Sequence, residues 1–283
     1  MRLTTLIETD ALAARLHSPS TVIADCRFDL KDTASGERDY LASHIPGAVY
    51  VHLDRDLCGP KTGRNGRHPL PDPQTAADVF GRLGIGEGVQ VIAYDQDSGM
   101  YASRLWWMLR WLGHDAVAVL NGGYARWISE QHPSMGGQET RPPRQFNARP
   151  HPEMLVSAND VAARTAQGWR LVDARAPERY RGEIEPLDTV AGHIPGAMNH
   201  FFQTNMEGGR FRAASELASG FKSDVGDTPA TRMICYCGSG VTACHNLLAL
   251  EHAGLTGAKL YAGSWSEWCA DPTRGVERSA LED

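Results

Sequence analysis

The chain repeats its own pattern once, and that repeat limits what it can fold into. Val22-Ile23-Ala24-Asp25-Cys26-Arg27 answers to Leu171-Val172-Asp173-Ala174-Arg175, and Ser43-His44-Ile45-Pro46-Gly47-Ala48 to Gly192-His193-Ile194-Pro195-Gly196-Ala197. Val91-Ile92-Ala93-Tyr94-Asp95 answers to Met233-Ile234-Cys235-Tyr236-Cys237, and the stretch Leu120 to Trp127 to the stretch Tyr261 to Trp268. Four matches in one order, at a lag of roughly 141 to 149 residues, mark a duplicated unit. Two copies are too few for a solenoid, and 283 residues are many for one core, so two domains are expected.

Each copy alternates short β-branched apolar runs with helical patterns. This is the α/β pattern of a parallel sheet covered by helices on both faces. In the second copy the pattern predicts strands near Arg170–Asp173, Ala197–Asn199, Met233–Tyr236 and Lys259–Tyr261. Helices are predicted at Ser157–Gln167, Ser215–Lys222 and Val241–Ala253, with Ser157 or Asn159 as the cap of the first. The stretch 134–153 contains Gly136-Gly137 and Pro142-Pro143, has no apolar period, and reads as a linker. The expected division is therefore 1–133, linker 134–153, and 154–283.

Charge and composition narrow the function classes. Hydrophobic content of 42% and charged content of 22% belong to an ordinary globular protein. A net charge of −6 argues against a nucleic-acid or membrane-surface binder. No stretch is long and apolar enough to span a bilayer, and the start turns acidic too early for a signal peptide, so a cytoplasmic location is expected. Six cysteines, at 26, 58, 235, 237, 244 and 269, are too sparse for a disulfide scaffold. Cys235-Tyr236-Cys237 has no second ligand pair at zinc spacing, so neither a metal nor another cofactor is expected.

The chemistry is concentrated in Cys237-Gly238-Ser239-Gly240-Val241-Thr242-Ala243. A cysteine between an apolar strand and an apolar helix, with glycines at 238 and 240, is set among inward-pointing backbone N–H groups at a helix N-terminus. That setting suits a nucleophilic sulfur whose negative charge, or that of a sulfur bound to it, is stabilised by N–H donors. Ser239 and Thr242 can add hydroxyl hydrogen bonds, or cap the helix. The repeat supplies a control: the first copy has Asp95 at the cysteine's place, in a loop one residue longer. A carboxylate cannot carry a transferable sulfur, so the first domain is expected to be catalytically inactive.

The His-Ile-Pro-Gly-Ala loops in tandem, the cysteine loop, and the closing Gly263-Ser264-Trp265-Ser266-Glu267-Trp268 resemble the two-domain rhodanese family. That family comprises thiosulfate and 3-mercaptopyruvate sulfurtransferases, and the resemblance covers nearly the whole chain. It implies a pseudo-twofold pair of rhodanese-like domains with the active cysteine in the second. The implied reaction is a double displacement. A small-molecule donor leaves a sulfane sulfur on Cys237 as a persulfide, and a thiol or cyanide acceptor removes it. A thioredoxin-like reductant is among the implied partners.

The resemblance also assigns residues. Gly238 and Ser239 stand where the thiosulfate branch has two cations beside its cysteine, as they do in the mercaptopyruvate branch, so no cation is expected to flank Cys237. Arg179 matches the first of two arginines that hold the mercaptopyruvate carboxylate and ketone. The second is missing, because Glu185-Pro186-Leu187-Asp188 occupies a shorter matching region. Gly238, Gly240, Val241 and Thr242 are expected to line the substrate. In the first copy, Asp56 and His68 resemble a pair brought to the cysteine, His68 as proton shuttle and Asp56 as the group fixing its tautomer. Mercaptopyruvate is the slightly favoured donor.

Other residues read as structure. His44 and His193 recur in both copies, including the one without a nucleophile, which suits a turn hydrogen bond. Trp106, Trp107 and Trp111 fall at helical spacing and read as core or domain-interface residues, and Cys244 as inert packing. Two other functions compete with this one. A cysteine phosphatase needs an arginine six residues after its nucleophile, and Ala243 stands there. A persulfide carrier or protein-binding module on the same fold would show little multiple turnover with small donors.

Overall fold

The computed structural model describes residues 2–279 and divides the chain into two units. The first runs to Gly59, resumes over Pro71–His151 and takes in Gly208–Phe211. The second comprises Pro60–Leu70, Pro152–Glu207 and the chain from Arg212 onwards. The short segment Pro60–Leu70, which precedes most of the first copy's own elements, thus belongs to the second unit.

In the first unit five strands lie in the order Leu6–Ile7, Val117–Leu120, Gln90–Tyr94, Thr21–Asp25, Ala48–Tyr50, every pairing parallel. The second repeats the plan with four: Lys259–Leu260, Met233–Tyr236, Arg170–Asp173, Met198–Asn199. Leu155 bridges Leu260 where the first unit has its edge strand Leu6–Ile7. Alternate residues of the central strands face opposite ways. In the second unit Leu171, Ile234 and Tyr236 bury against Val161 and Trp265. The helices Ala214–Val225 and Thr242–His252 pack on the sheet as well. The predicted helix at Ser157 begins with Ser157 as cap, and Asp160 closes a capping box with it.

A buried ionic lock recurs in both units and explains two of the repeated motifs. At the end of its central strand Asp173 takes three hydrogen bonds from the Arg175 guanidinium at 2.6–3.1 Å, and Arg175 Nη2 also donates to Gly192 O at 2.8 Å. Asp25 and Arg27 do the same, with Ser43 O as the carbonyl. The carbonyl is in each case the one immediately before the histidine of the His-Ile-Pro-Gly-Ala loop. Removing one partner of such a buried pair typically costs about 3–5 kcal/mol, so the lock fixes where that loop sits. His44 and His193 then donate from Nδ1 to Tyr40 O and Tyr180 O, both at 2.7 Å, and stack on those tyrosines. Their role is the turn hydrogen bond expected from their recurrence.

The stretch 134–153 is not a free spacer. Met135 pairs with His44, and the amides of Arg144, Arg149 and His151 donate to the carbonyls of Gly81, Leu112 and Trp111 at 2.8–2.9 Å. It is a strap on the first unit as far as His151. The second copy ends likewise, with Glu277 paired to His193. Trp106, Trp107 and Trp111 are core of the first unit, the last two stacked at 5.8 Å. Among the described residues no helix is long and apolar enough to cross a membrane.

Candidate active site

The strand Met233–Tyr236 delivers Cys237 to the carboxyl edge of the second sheet, and the helix Thr242–His252 starts just beyond it. Between them the chain turns back around the sulfur. The amides of Gly240 and Ser239 point at Cys237 Sγ from 3.1 and 3.5 Å. Gly240 makes the turn possible: it adopts φ +79°, and a Cβ there would lie 2.3 Å from Ala262 O. Cys244 donates its S–H to Gly240 O at 3.2 Å and so helps hold the turn. Val241 is buried at the helix cap, and Thr242 opens the helix without capping it. Cys235 lies fully buried in the strand, and burial pushes its thiol far up.

The Gly-Ser-Trp-Ser-Glu-Trp motif braces this loop. Ser264 Oγ accepts from Cys237 N at 3.1 Å and donates to Tyr261 O at 2.9 Å, while the amides of Trp265 and Ser266 donate to Cys237 O and Gly238 O at 2.9 Å each. Ser264 holds a left-handed φ of +55°, where the first copy has Gly123 at +57°. A serine in that region costs of order 1 kcal/mol relative to glycine, and here its hydroxyl holds the cysteine's own amide. Sequence reading took the motif as a family mark and missed this role. The signal was present in the repeat, which sets a serine against a glycine.

His68 comes to the cysteine loop within the second unit. It is 3% exposed, with Nδ1 2.7 Å from Ser239 Oγ. Its neighbour Arg67 is held by its backbone, the amide donating to Ser266 Oγ at 2.9 Å. Asp56 is in the first unit, in the short helix Leu53–Asp56, where its carboxylate accepts from His52 N at 2.8 Å.

The expectation that no cation flanks the nucleophile is corrected by the geometry. A Cβ placed on Gly238 would lie 3.0 Å from Arg67 Nη2 and 3.5 Å from both terminal nitrogens of Arg179. Glycine at 238 therefore leaves room for two guanidinium groups beside the loop. Their charge is balanced on the far side. Arg67 Nη1 pairs with Asp188 at 2.6 Å, Arg179 with Glu185 at 2.6 Å and with Asp188 at 3.6 Å, and Arg175 reaches Glu185 at 3.3 Å. Burial, with Glu185 as a like-charged neighbour, holds the Asp188 carboxyl above the usual carboxylate range against the pull of Arg67 and Arg179. Arg181, by contrast, pairs with Glu183 at the surface.

In the first unit the corresponding cradle is already filled. Asp95 accepts from the amides of Tyr101, Gly99, Ala102 and Asp97 at 2.7–3.3 Å. Burial still lifts its carboxyl to about 6, against the pull of those amides. The folded chain thus holds a proton on Asp95 more tightly than the unfolded chain does. That contribution to stability is full below the unfolded value of 3.8 and is lost as pH rises through about 6. A shift of that size corresponds to about 2–3 kcal/mol. In chemical denaturation, the stability of wild type relative to Asp95→Asn should fall by that amount between about pH 4 and pH 7. A pH-independent difference would show that Asp95 does not titrate in this range.

Comparison with known proteins agrees with the architecture. The rhodanese-like domain model matches twice, at residues 8–130 and 157–271. The chain is 45% identical over 275 residues to a Pseudomonas aeruginosa protein named "Probable 3-mercaptopyruvate sulfurtransferase", covering 96% of this chain and 97% of that one. It is 37% identical over 279 residues to the Mycobacterium tuberculosis "Putative thiosulfate sulfurtransferase SseB", covering 96% of each. Among solved structures, the 3-mercaptopyruvate sulfurtransferase SseA of Escherichia coli matches with a TM-score of 0.81 at 32% identity, over 93% of this chain and 99% of that one. With one rhodanese-like match on each copy and likeness along the full length, the chain belongs to the two-domain rhodanese-like sulfurtransferases.

Proposed function

We propose that the chain moves sulfur from 3-mercaptopyruvate, in preference to thiosulfate, through a persulfide on Cys237. The reading is carried by the charge-balanced pair of arginines beside Gly238. Three guanidinium groups, of Arg67, Arg175 and Arg179, face three carboxylates, of Asp173, Glu185 and Asp188. Such a cluster offers N–H forks to a planar monoanion and has little net positive charge for a dianion. Two unit charges about 4 Å apart interact by about 4 kcal/mol at an effective dielectric near 20, and partial exposure reduces that further.

In this reading the Cys237 thiolate attacks the donor's sulfur, and the C–S bond breaks with its electron pair passing to carbon. The fragment leaves as the enolate of pyruvate and needs one proton at that carbon. His68 and Ser239, 2.7 Å apart, are suited to deliver it: the serine hydroxyl gives its proton and takes one from the imidazole. The persulfide left behind lies in reach of the Gly240 and Ser239 amides, which stabilise negative charge on sulfur without a metal. An acceptor thiolate then attacks the outer sulfur, leaves as a persulfide and frees the Cys237 thiolate. A thioredoxin-like dithiol or cyanide suits this second half.

The test is kcat/KM for the two donors measured side by side. Mercaptopyruvate should exceed thiosulfate by about tenfold or more. The reverse order would reject the donor assignment and leave the family standing. The geometry also bears on loop exchange. Replacing Gly238-Ser239 by a cationic pair would drive a third positive side chain against Arg67 and Arg179, so the exchange would not create a thiosulfate site simply by adding charge.

A further inference from the structure

We propose that Arg67 is the second donor-binding guanidinium of this enzyme, taking the carboxylate of a 2-oxo-3-thio acid together with Arg179, and that Asp188 is the counter-ion it releases as the donor enters. The proposal rests on the reading of Cys237 and its donor given above, and assigns a residue that the sequence pattern does not. In the region where the resemblance calls for a second arginine, this chain has Glu185 to Asp188, and these acids lie behind the arginine pair as its counter-ions. The missing cation is supplied by Pro60–Leu70, the segment that belongs to the second unit.

Arg67 is not needed to anchor that segment. Its backbone is tied to Ser266, and Gly66, at φ +85°, packs so closely on Gly263 that a Cβ would lie 2.7 Å from the Gly263 carbonyl oxygen. The side chain is left to reach the cysteine loop. Nη1 is on Asp188 at 2.6 Å and Nη2 stands over Gly238, while Nε is buried with no hydrogen-bond partner. Asp188 Oδ2 is likewise buried and lacks a hydrogen bond, with Arg179 Nη2 at 3.6 Å. A buried donor and a buried acceptor, each short of a partner across one ion pair, describe a site waiting for a further polar group. A donor carboxylate can take two parallel N–H bonds from Arg67 where Asp188 now has one.

The test uses the full chain with two donors. One is 3-mercaptopyruvate. The other is inorganic polysulfide, which has no carboxylate; the thiolate takes its terminal sulfur and the polysulfide leaves one sulfur shorter. Arg67→Met should raise KM for mercaptopyruvate about tenfold or more, whereas the rate of Cys237 persulfide formation from polysulfide, read by intact mass, loses only the attraction of one cation to an anion and should fall by a clearly smaller factor. Arg67→Lys, which keeps the charge and loses the fork, should recover only part of the mercaptopyruvate KM. An unchanged KM in Arg67→Met, or equal losses with both donors, would overturn the proposal, the second by showing a structural role. If Arg67→Met does not fold, Arg67→Lys decides: a KM rise of about threefold or more with polysulfide loading intact supports the site, and a wild-type KM rejects it. Cys237→Ser separates the two levels. If it abolishes transfer while Arg67→Met behaves as wild type, only the Arg67 assignment fails; if it retains transfer, the reading beneath it fails.

Discussion

Cys237→Ser is expected to abolish sulfur transfer and the mass increase of one sulfur atom, while Cys235→Ser and Cys244→Ser retain both. The three cysteines are close in sequence but differ in what surrounds them. Cys237 has two amides aimed at its sulfur, and its own amide and carbonyl are held by Ser264 and Trp265. Cys235 is fully buried in the central strand, with its thiol pushed up by burial, which withholds the thiolate that nucleophilic attack requires. Cys244 spends its S–H on Gly240 O and supports the turn. A serine at 237 fits the same cradle, but its oxygen cannot exchange sulfur, so the loss should exceed about a thousandfold without loss of fold. Unaltered melting temperature with no persulfide is the expected pair of readings. Transfer retained in Cys237→Ser would place the chemistry elsewhere.

The parts of this site that were legible in the sequence are those made of consecutive residues. The strand Met233–Tyr236, the turn at Gly240 and the helix from Thr242 follow one another along the chain, so local pattern sufficed. The capping box at Ser157 and Asp160 is likewise a three-residue signal. The duplication added what local pattern could not, namely that Asp95 is a cysteine position given over to a carboxylate. The strap 134–151 has the sequence character of a linker because its partners are backbone carbonyls, those of Gly81, Leu112 and Trp111, which leave no apolar period behind. Arg67 is hidden in the sequence for a related reason. It sits in a Gly/Arg-rich stretch with the composition of a mobile surface loop, and only folding sets it beside Arg179 and Gly238. The gap at Glu185–Asp188 was visible as a missing cation. What filled it was not, since one guanidinium can replace another from any segment that reaches the same point.

His68→Gln should lower kcat for mercaptopyruvate by about a hundredfold or more while leaving KM within about threefold. His68 is buried, and its Nδ1 lies 2.7 Å from the hydroxyl of Ser239, whose own amide points at the Cys237 sulfur. The imidazole is thus hydrogen-bonded to the cysteine loop, whereas the forks proposed to take the carboxylate are those of Arg67 and Arg179. Glutamine preserves much of the ring's volume and can still hydrogen-bond Ser239, but it cannot gain and lose a proton in the cycle. The deficit should consequently depend on the leaving group. Breaking the C–S bond of mercaptopyruvate leaves charge on carbon and needs a proton there, whereas a polysulfide leaves as a stable anion and needs none. Cys237 loading from polysulfide should thus proceed at close to the wild-type rate in His68→Gln, and Ser239→Ala should show the same selectivity with a smaller loss. Equal impairment with both donors would mean that His68 supports the loop's shape, and the proton would then have to come from solvent.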